Sequence, residues 1–512
     1  MKAEPQRITL SLISHTNAGK TTLARTLLQQ DIGEVRDAPH VTEFVEAHRL
    51  VRSETGDELV LWDTPGFGDS VRLLNRVQRD GTALGWFLTA VWDRWQDRPF
   101  WASQQALRHV RDQTDVVLYL VNAAEAPEAA PHVDAEMRLL GWMGRPVVVV
   151  LNQLGVDHDA ARDRADLERW RMHLARHPGV GALLPLDAFA RCWVQEGVLW
   201  QVIAQALKSP QSDAMLRLAQ AWWLPRHQCF VAASQVLADS LADMALLRVP
   251  LEGQGSLAQA WRGLAGGVAR RALAKWEPAN AETRSEDRDD QQAQRQLIQA
   301  VEQRLDSELS AMLGLHALQA DAETRAAITL RVDGLLDLHT RLNERKSAAW
   351  GGVITGALAG LKADVASGGL TLGGGMLVGG VLGALAGMGV AKGLNTVRGG
   401  GAPWAGLSTA ALDALVEAAL LRYLAVAHFG RGRGSWQHDP VPQHWLATVR
   451  ATLELQRAAW AAAWDARPRA GPAPGTAAER ERLARALQPL LAASMRDTLL
   501  RLYPEAAAQW AS

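Results

Sequence analysis

Gly19, Lys20 and Thr21 close the run Ser14-His15-Thr16-Asn17-Ala18-Gly19-Lys20-Thr21, and residue types in this order hold phosphate. In the pattern G-x-x-x-x-G-K-[ST], backbone N–H groups wrap a β-phosphate and the lysine brings positive charge to the β- and γ-phosphates. The hydroxyl that follows ligates Mg2+. Ser14 stands where the pattern has its first glycine, and a side chain that small still allows the turn. His15 and Thr16 could face the phosphates, although the plainer reading of His15 is that it packs or points to solvent. Lying 43 residues after Lys20, Asp63-Thr64-Pro65-Gly66 supplies a second constellation. Asp63 would hold the metal directly or through water. The Gly66 N–H would sense a γ-phosphate and order its loop.

These groups need a strand before the loop and a helix after it. Ile8 to Ile13 reads as that strand, and a helix begins Thr22-Leu23-Ala24, its N-terminal N–H groups, Thr22 included, facing the phosphates. Leu59 to Trp62 is a second strand, leading into Asp63. Val116 to Val121 and Val147 to Leu151 are continuous apolar runs, as central parallel strands covered on both faces require. Residues 1–205 therefore read as an α/β domain, a mostly parallel sheet with helices on both faces, carrying a Trp-rich helical insertion at about 70–113.

Residues 14 to 66 resemble the TrmE, Era and EngA group of translation-factor-related P-loop GTPases. Counted from Lys20, Val35, Asp37 and Thr42 fall without a gap where the TrmE pattern has a Val, an Asp and its switch I Thr. The resemblance makes Thr42 the second hydroxyl ligand of Mg2+. It also sets Asn17 where the TrmE branch helps bind K+, a cation able to stabilise the transition state as an arginine finger does elsewhere. Lys20, Asn17, Thr42 and Gly66 are thus the expected catalytic set, with Thr21, Thr42 and Asp63 on Mg2+. Phe67 occupies the position of the catalytic Gln of Ras-like proteins. A phenyl ring cannot orient water, so a low intrinsic rate is expected.

Base recognition departs from the group. Its Asn-Lys-x-Asp motif becomes Asn152-Gln153-Leu154-Gly155, which keeps Asn152 and loses the carboxylate that grips guanine. Gln153 could stack its aliphatic part on the base, and Asp157 could substitute only if the loop bends differently. Ala188, within Leu186-Asp187-Ala188-Phe189, falls where the last guanine-contacting loop would be. Losing a paired acceptor costs discrimination rather than phosphate affinity. The motifs Asp-Ala-Pro-His-Val-Thr (37–42) and Trp-Asp-Thr-Pro-Gly-Phe-Gly-Asp-Ser (62–70) further resemble an uncharacterised bacterial family. That family joins this GTPase module to a helical C-terminal domain of unknown function.

From about Trp200 strand signals vanish, and a mainly helical region is expected: 206–345, then 346–400, then 401–512. Leu297, Val301, Leu305 and Leu309 stripe a helix expected to start after the charged stretch 282–290, and Leu483, Leu487, Leu491 and Met495 stripe another. Arg467 to Thr476, with three Pro and two Gly, reads as a linker or exposed loop. Val365 to Ala391 is 27 uncharged residues, with Gly375, Gly379, Gly383 and Gly387 at every fourth place. Gly352, Gly356 and Gly360 repeat the spacing upstream. Small faces of this kind pack helices closely in lipid, and a span needs about 20 apolar residues. A glycine-zipper helical hairpin over 346–400, touching an inner membrane through 347–391, is the reading, beside a soluble hairpin or a flexible Gly-rich loop.

Net charge is -1, which gives no global field for nucleic acid, and no RNA-binding module is visible. Cys192 and Cys229 are the only cysteines, which argues for a reducing compartment and against a disulfide scaffold or zinc site. Met1 to Ile13 has no secretory pattern, so a cytoplasmic protein is expected, with association with the inner membrane as an option. The 20 Trp residues suit helical cores, with interfacial anchoring as the alternative. Expected ligands are GTP or GDP with Mg2+ and K+; an unnamed protein partner and a homo-oligomer are both compatible with the sequence. The competing reading is a membrane-associated interaction or remodelling protein that holds nucleotide structurally, with relaxed base specificity.

Overall fold

The computed structural model describes residues 4–15, 19–28, 46–64, 66–68, 70–79, 98–152, 160–186, 192–250, 280–316, 328, 394–397, 404–428, 443–468 and 475–510. They divide into two compact units. The first gathers Met1–Cys229, Ala427–His444 and Leu499–Ser512; the second, Phe230–Val426 and Trp445–Thr498.

In the first unit six strands form one sheet in the order β2-β3-β1-β4-β5-β6. Three central strands, β1 (Arg7–Ser14), β4 (Val116–Asn122) and β5 (Val147–Asn152), come from the apolar runs of the sequence. They pair in parallel, Leu10 opposite Val116 and Leu118 opposite Val148. Both faces are covered, so Val116 through Leu120 and Val147 through Leu151 are all buried. Each fully buried Leu or Val contributes about 1.5–3 kcal/mol relative to exposure. β3 (Glu58–Asp63) lies on the other side of β1.

Two strands carry no clear sequence signal. The edge strand β2 (Glu46–Arg52) is antiparallel to β3, and its Arg, His and Glu side chains disguise it. Such charges suit an unpaired edge, which they protect from pairing with other chains. A turn joins β2 to β3, with Ser53 N–H donating to Asp57 O at 2.9 Å and Gly56 at φ +92°. The outer strand β6 (Val180–Pro185) is short and interrupted by Gly181.

Helix α1 (Lys20–Leu28) follows β1, burying Leu23, Ala24 and Leu27. The expected helical insertion begins and ends in helices, α2 (Ser70–Arg79) and α3 (Arg98–Gln113). Its Trp-rich middle lies outside the described residues. Next come α4 (Pro131–Gly141), α5 (Ala160–Leu174) and α6 (Trp193–Ala206). A 35-residue helix, α7 (Gln211–Ala245), supplies residues to both units. Trp170 and Trp200 are fully buried in the first unit, as the core reading of Trp expects.

The second unit is largely helical but not wholly so. A three-stranded antiparallel sheet, β7 (Arg248–Pro250), β9 (Trp404–Leu407) and β8 (Leu394–Val397), corrects the expectation that strands end near Trp200. Strands of three or four residues, from distant parts of the chain, leave no periodicity to read. Helix α8 (Asn280–Leu315) packs on β7 and β9 and starts at Asn280, so it includes the charged stretch expected to precede it. Leu297, Val301 and Leu309 are buried on it, and Leu305 is half-buried.

Helices α9 (Thr409–Ala427), α10 (Gln443–Leu455), α11 (Arg457–Asp465) and α12 (Ala477–Leu502) complete the larger elements among the described residues. Leu483, Leu487, Leu491 and Met495 are all buried on α12. A buried ion pair joins Arg422 to Glu308 at 2.7 Å. Of the helical hairpin expected over 346–400, residues 394–397 form strand β8 instead, and the rest, with all its spaced glycines, lies outside the described residues; among the described residues, no helix is long and apolar enough to cross a membrane.

Candidate functional site

Parallel strands deliver their C-terminal ends to one edge of the sheet, and the loops leaving that edge are where such sheets bind ligands. Ser14 and His15 leave β1 there, Asp63 leaves β3 and Asn152 leaves β5. Gly19 has φ +87°, a conformation glycine adopts without strain, and its carbonyl accepts the N–H of Leu23 at 3.0 Å to open α1. Lys20 is the first residue of that helix.

Lys20 is buried, and its Nζ donates to Ser14 Oγ at 3.2 Å. Burial pushes the ammonium below its ordinary range, against the opposing pull of the Asp63 and Glu136 carboxylates. An ammonium held this way gains by meeting phosphate. Asp63 is 4% exposed, and its carboxylate is a hard oxygen donor of the kind Mg2+ takes. Thr64 Oγ1 donates to Leu12 O at 2.5 Å, fixing the start of the second loop against β1. Gly66 is buried. Thr22 lies buried in the first turn of α1, and Thr21 shares that turn.

Phe67 does not stand at the phosphates. Its ring is fully buried in the core formed with Ile13, Leu73, Leu107 and Tyr119. Its N–H donates to Ser14 O at 2.9 Å, so the two loops join through a short parallel bridge between His15 and Phe67. Gly68 N–H donates to Ser103 Oγ at 3.1 Å.

His15 neither faces solvent freely nor merely packs. Nδ1 lies 2.8 Å from Glu136 Oε1, and the ring sits over His132 with centroids 4.3 Å apart. Burial pulls the imidazole down, but the Glu136 hydrogen bond and charge outweigh it, leaving the group above its ordinary value. Glu136 is 0% exposed and also accepts from Ser70 Oγ at 2.9 Å and Tyr119 OH at 2.6 Å. Sequence reasoning missed Glu136. The signal was there: it interrupts the apolar stripe of Val133, Met137 and Leu140 on α4, where a lone carboxylate needs partners.

Asn152 is fully buried at the end of β5, and its carbonyl accepts Ala123 N–H at 2.7 Å. Thr16, Asn17, Ala18, Thr42, Gln153, Gly155, Asp157 and Ala188 lie outside the described residues. Among the described residues no group of three His, Cys, Asp or Glu side chains could hold a metal.

A sheet of this order, with a lysine-bearing loop between β1 and α1 and an aspartate ending the neighbouring strand, defines a P-loop nucleotide-binding domain, and the family match of its residues makes it a GTP-binding P-loop GTPase. Residues 9–153 match the family described as 50S ribosome-binding GTPase. Residues 171–493, more than half of the chain, match the family described as a domain of unknown function (DUF3482), and the chain belongs to that family. No curated protein matches it.

Among solved structures, an Aquifex aeolicus Era variant bound to GDP and AlF4– is 17% identical, covering 36% of this chain and 52% of its own, with a TM-score of 0.27. Era in complex with MgGDPNP and part of 16S ribosomal RNA is 16% identical over the same shares, with a TM-score of 0.28. A probable GTP-binding protein engB is 19% identical over 35% of this chain and 88% of its own, with a TM-score of 0.22. The chain spans about half the length of the Era structures. Scores this low carry no argument, and the class rests on the family matches.

Proposed function

We propose that the chain hydrolyses GTP slowly, with Mg2+ and K+ assistance, as a nucleotide-dependent switch. The observation that carries the slow, cation-assisted part is Phe67: its ring is locked in the core, so this position offers no polar group to orient water. The protein's own contribution is charge and position. Lys20 meets the β- and γ-phosphates, the loop amides wrap the β-phosphate, and the Gly66 N–H binds the γ-phosphate, with no proton taken by a side chain. Asp63, with Thr21 and Thr42, would hold Mg2+, which when bound neutralises charge on the β- and γ-oxygens. Asn17 would help hold K+ beside them. Asn152, Gln153 and Ala188 would line the base site, where the missing carboxylate predicts weaker guanine selectivity than phosphate affinity.

The partners in this reading are guanine nucleotide, an unidentified protein, and an inner membrane met through residues 347–391. Single-turnover hydrolysis in K+ against Na+ tests it. Stimulation by K+ that is lost in Asn17→Ala supports the mechanism; tight GTP binding with no turnover in either salt sinks it. A second reading, a membrane-associated protein that holds nucleotide structurally, draws on the same buried Phe67. That outcome would favour it.

A further inference from the structure

We propose that Glu136 is a positioning residue that sets the second phosphate-sensing loop against the first, and so controls the response to the γ-phosphate rather than the affinity for nucleotide. Three elements place donors on this one carboxylate. His15 comes from the loop after β1, Ser70 from the first turn of α2, and Tyr119 from the middle of β4. Ser70 lies four residues beyond Gly66, whose amide is the γ-phosphate sensor in the proposed function, on which this inference rests.

A carboxylate at 0% exposure is costly to bury, and α4 would pack more cheaply with an apolar side chain between Val133, Met137 and Leu140. What the charge provides is a fixed separation. Ser70 and His15 both meet Oε1, at 2.9 and 2.8 Å, so one oxygen ties the far end of the Gly66 loop to the phosphate loop. The near end is tied by Phe67 N–H to Ser14 O, and the middle by Gly68 N–H to Ser103 Oγ. Those two anchors do not involve Glu136. Its loss leaves the first turn of α2 placed by the packing of Leu73 and Leu74 alone, while the loop itself stays attached. A displacement of about 1 Å at a transition-state contact can cost on the order of a hundredfold in rate.

The test uses the full-length protein with Glu136→Gln, Ser70→Ala and Ser70→Thr. Two quantities are measured with fluorescent nucleotides: GDP affinity, and the ratio of affinities for a non-hydrolysable GTP analogue and GDP. Single-turnover hydrolysis is the third. We expect Glu136→Gln and Ser70→Ala to hold GDP within about threefold of wild type, while the ratio falls about fivefold and the rate about tenfold or more. Ser70→Thr, which keeps the hydroxyl, should restore both. An unchanged ratio in Ser70→Ala overturns the proposal, as does a loss of GDP affinity that matches the loss of rate. The affinity ratio needs no turnover, so a wild-type protein that fails to hydrolyse GTP sinks the hydrolytic reading and still leaves Glu136 decided.

Discussion

Arg217→Met should destabilise the first unit by about 1–3 kcal/mol, the range for leaving a buried acceptor without its donor. Asp57, in the turn between β2 and β3, is 0% exposed and accepts Arg217 Nε at 2.8 Å and Nη2 at 3.0 Å. Three neutral donors remain when the guanidinium goes: Gln6 N–H at 2.9 Å, Ser53 Oγ at 2.9 Å and Thr55 Oγ1 at 2.8 Å. The Arg217 side chain is 32% exposed, so water can replace part of what it gave. Both facts pull the cost below the full penalty for an orphaned buried charge.

The pH dependence follows from the sign of the shift. Arg217 holds the Asp57 carboxyl well below the usual carboxylate range, against the opposing effect of burial. A depressed folded value means the stabilisation is fully present above the unfolded value of about 3.9 and is lost as pH falls through the folded one. The gap between wild type and Arg217→Met should therefore be constant from pH 5 to 8 and shrink below about pH 4. Urea denaturation of the full chain measures it, fitted with one transition for each of the two compact units. Asp57→Asn and the double variant complete the cycle, with an expected coupling of about 1.5–2 kcal/mol. A coupling within about 0.5 kcal/mol of zero would refute the account.

Lys20→Met should weaken GTP binding about a hundredfold, since it removes about 3 kcal/mol of charge-assisted contact; calorimetry reads this directly. Phe67→Gln should not speed hydrolysis, because the side chain enters the core, and should instead cost about 3 kcal/mol of stability; faster turnover with an unchanged melting temperature would contradict the placement of the ring. His109, its ring tilted 59° to that of Trp62 with centroids 4.8 Å apart, is pushed down to about 4 by burial. Its unfolded value is higher, so the first unit should lose stability as pH falls from about 6.5 to about 4, and His109→Gln should flatten that slope in denaturation profiles. In the second unit, Arg422→Met alone should cost about 3 kcal/mol by leaving Glu308 buried and charged, and adding Glu308→Leu should recover most of it.

The sequence by itself determined the phosphate end of the site and the strands that carry it. Short apolar runs as rich in β-branched Val as Val116–Val121 and Val147–Leu151 favour strands in a sheet covered on both faces. A Gly-Lys-Thr between strand and helix follows from local rules of spacing and backbone freedom. The stripes on α8 and α12 were legible for the same reason, since period and burial are both local. Tertiary structure alone decided the rest. β7 owes its existence to β9, far away in the chain, and the charged edge strand β2 to its pairing with β3, not to their own composition. The burial of Phe67, read from the sequence only as a missing glutamine, came from the core that β1, α2 and α3 assemble around it. His15 could not be assigned a partner from its neighbours, because the carboxylate that holds it lies 121 residues away on α4. Spacing fixes which groups a loop can offer; only the fold fixes which of them are turned inward.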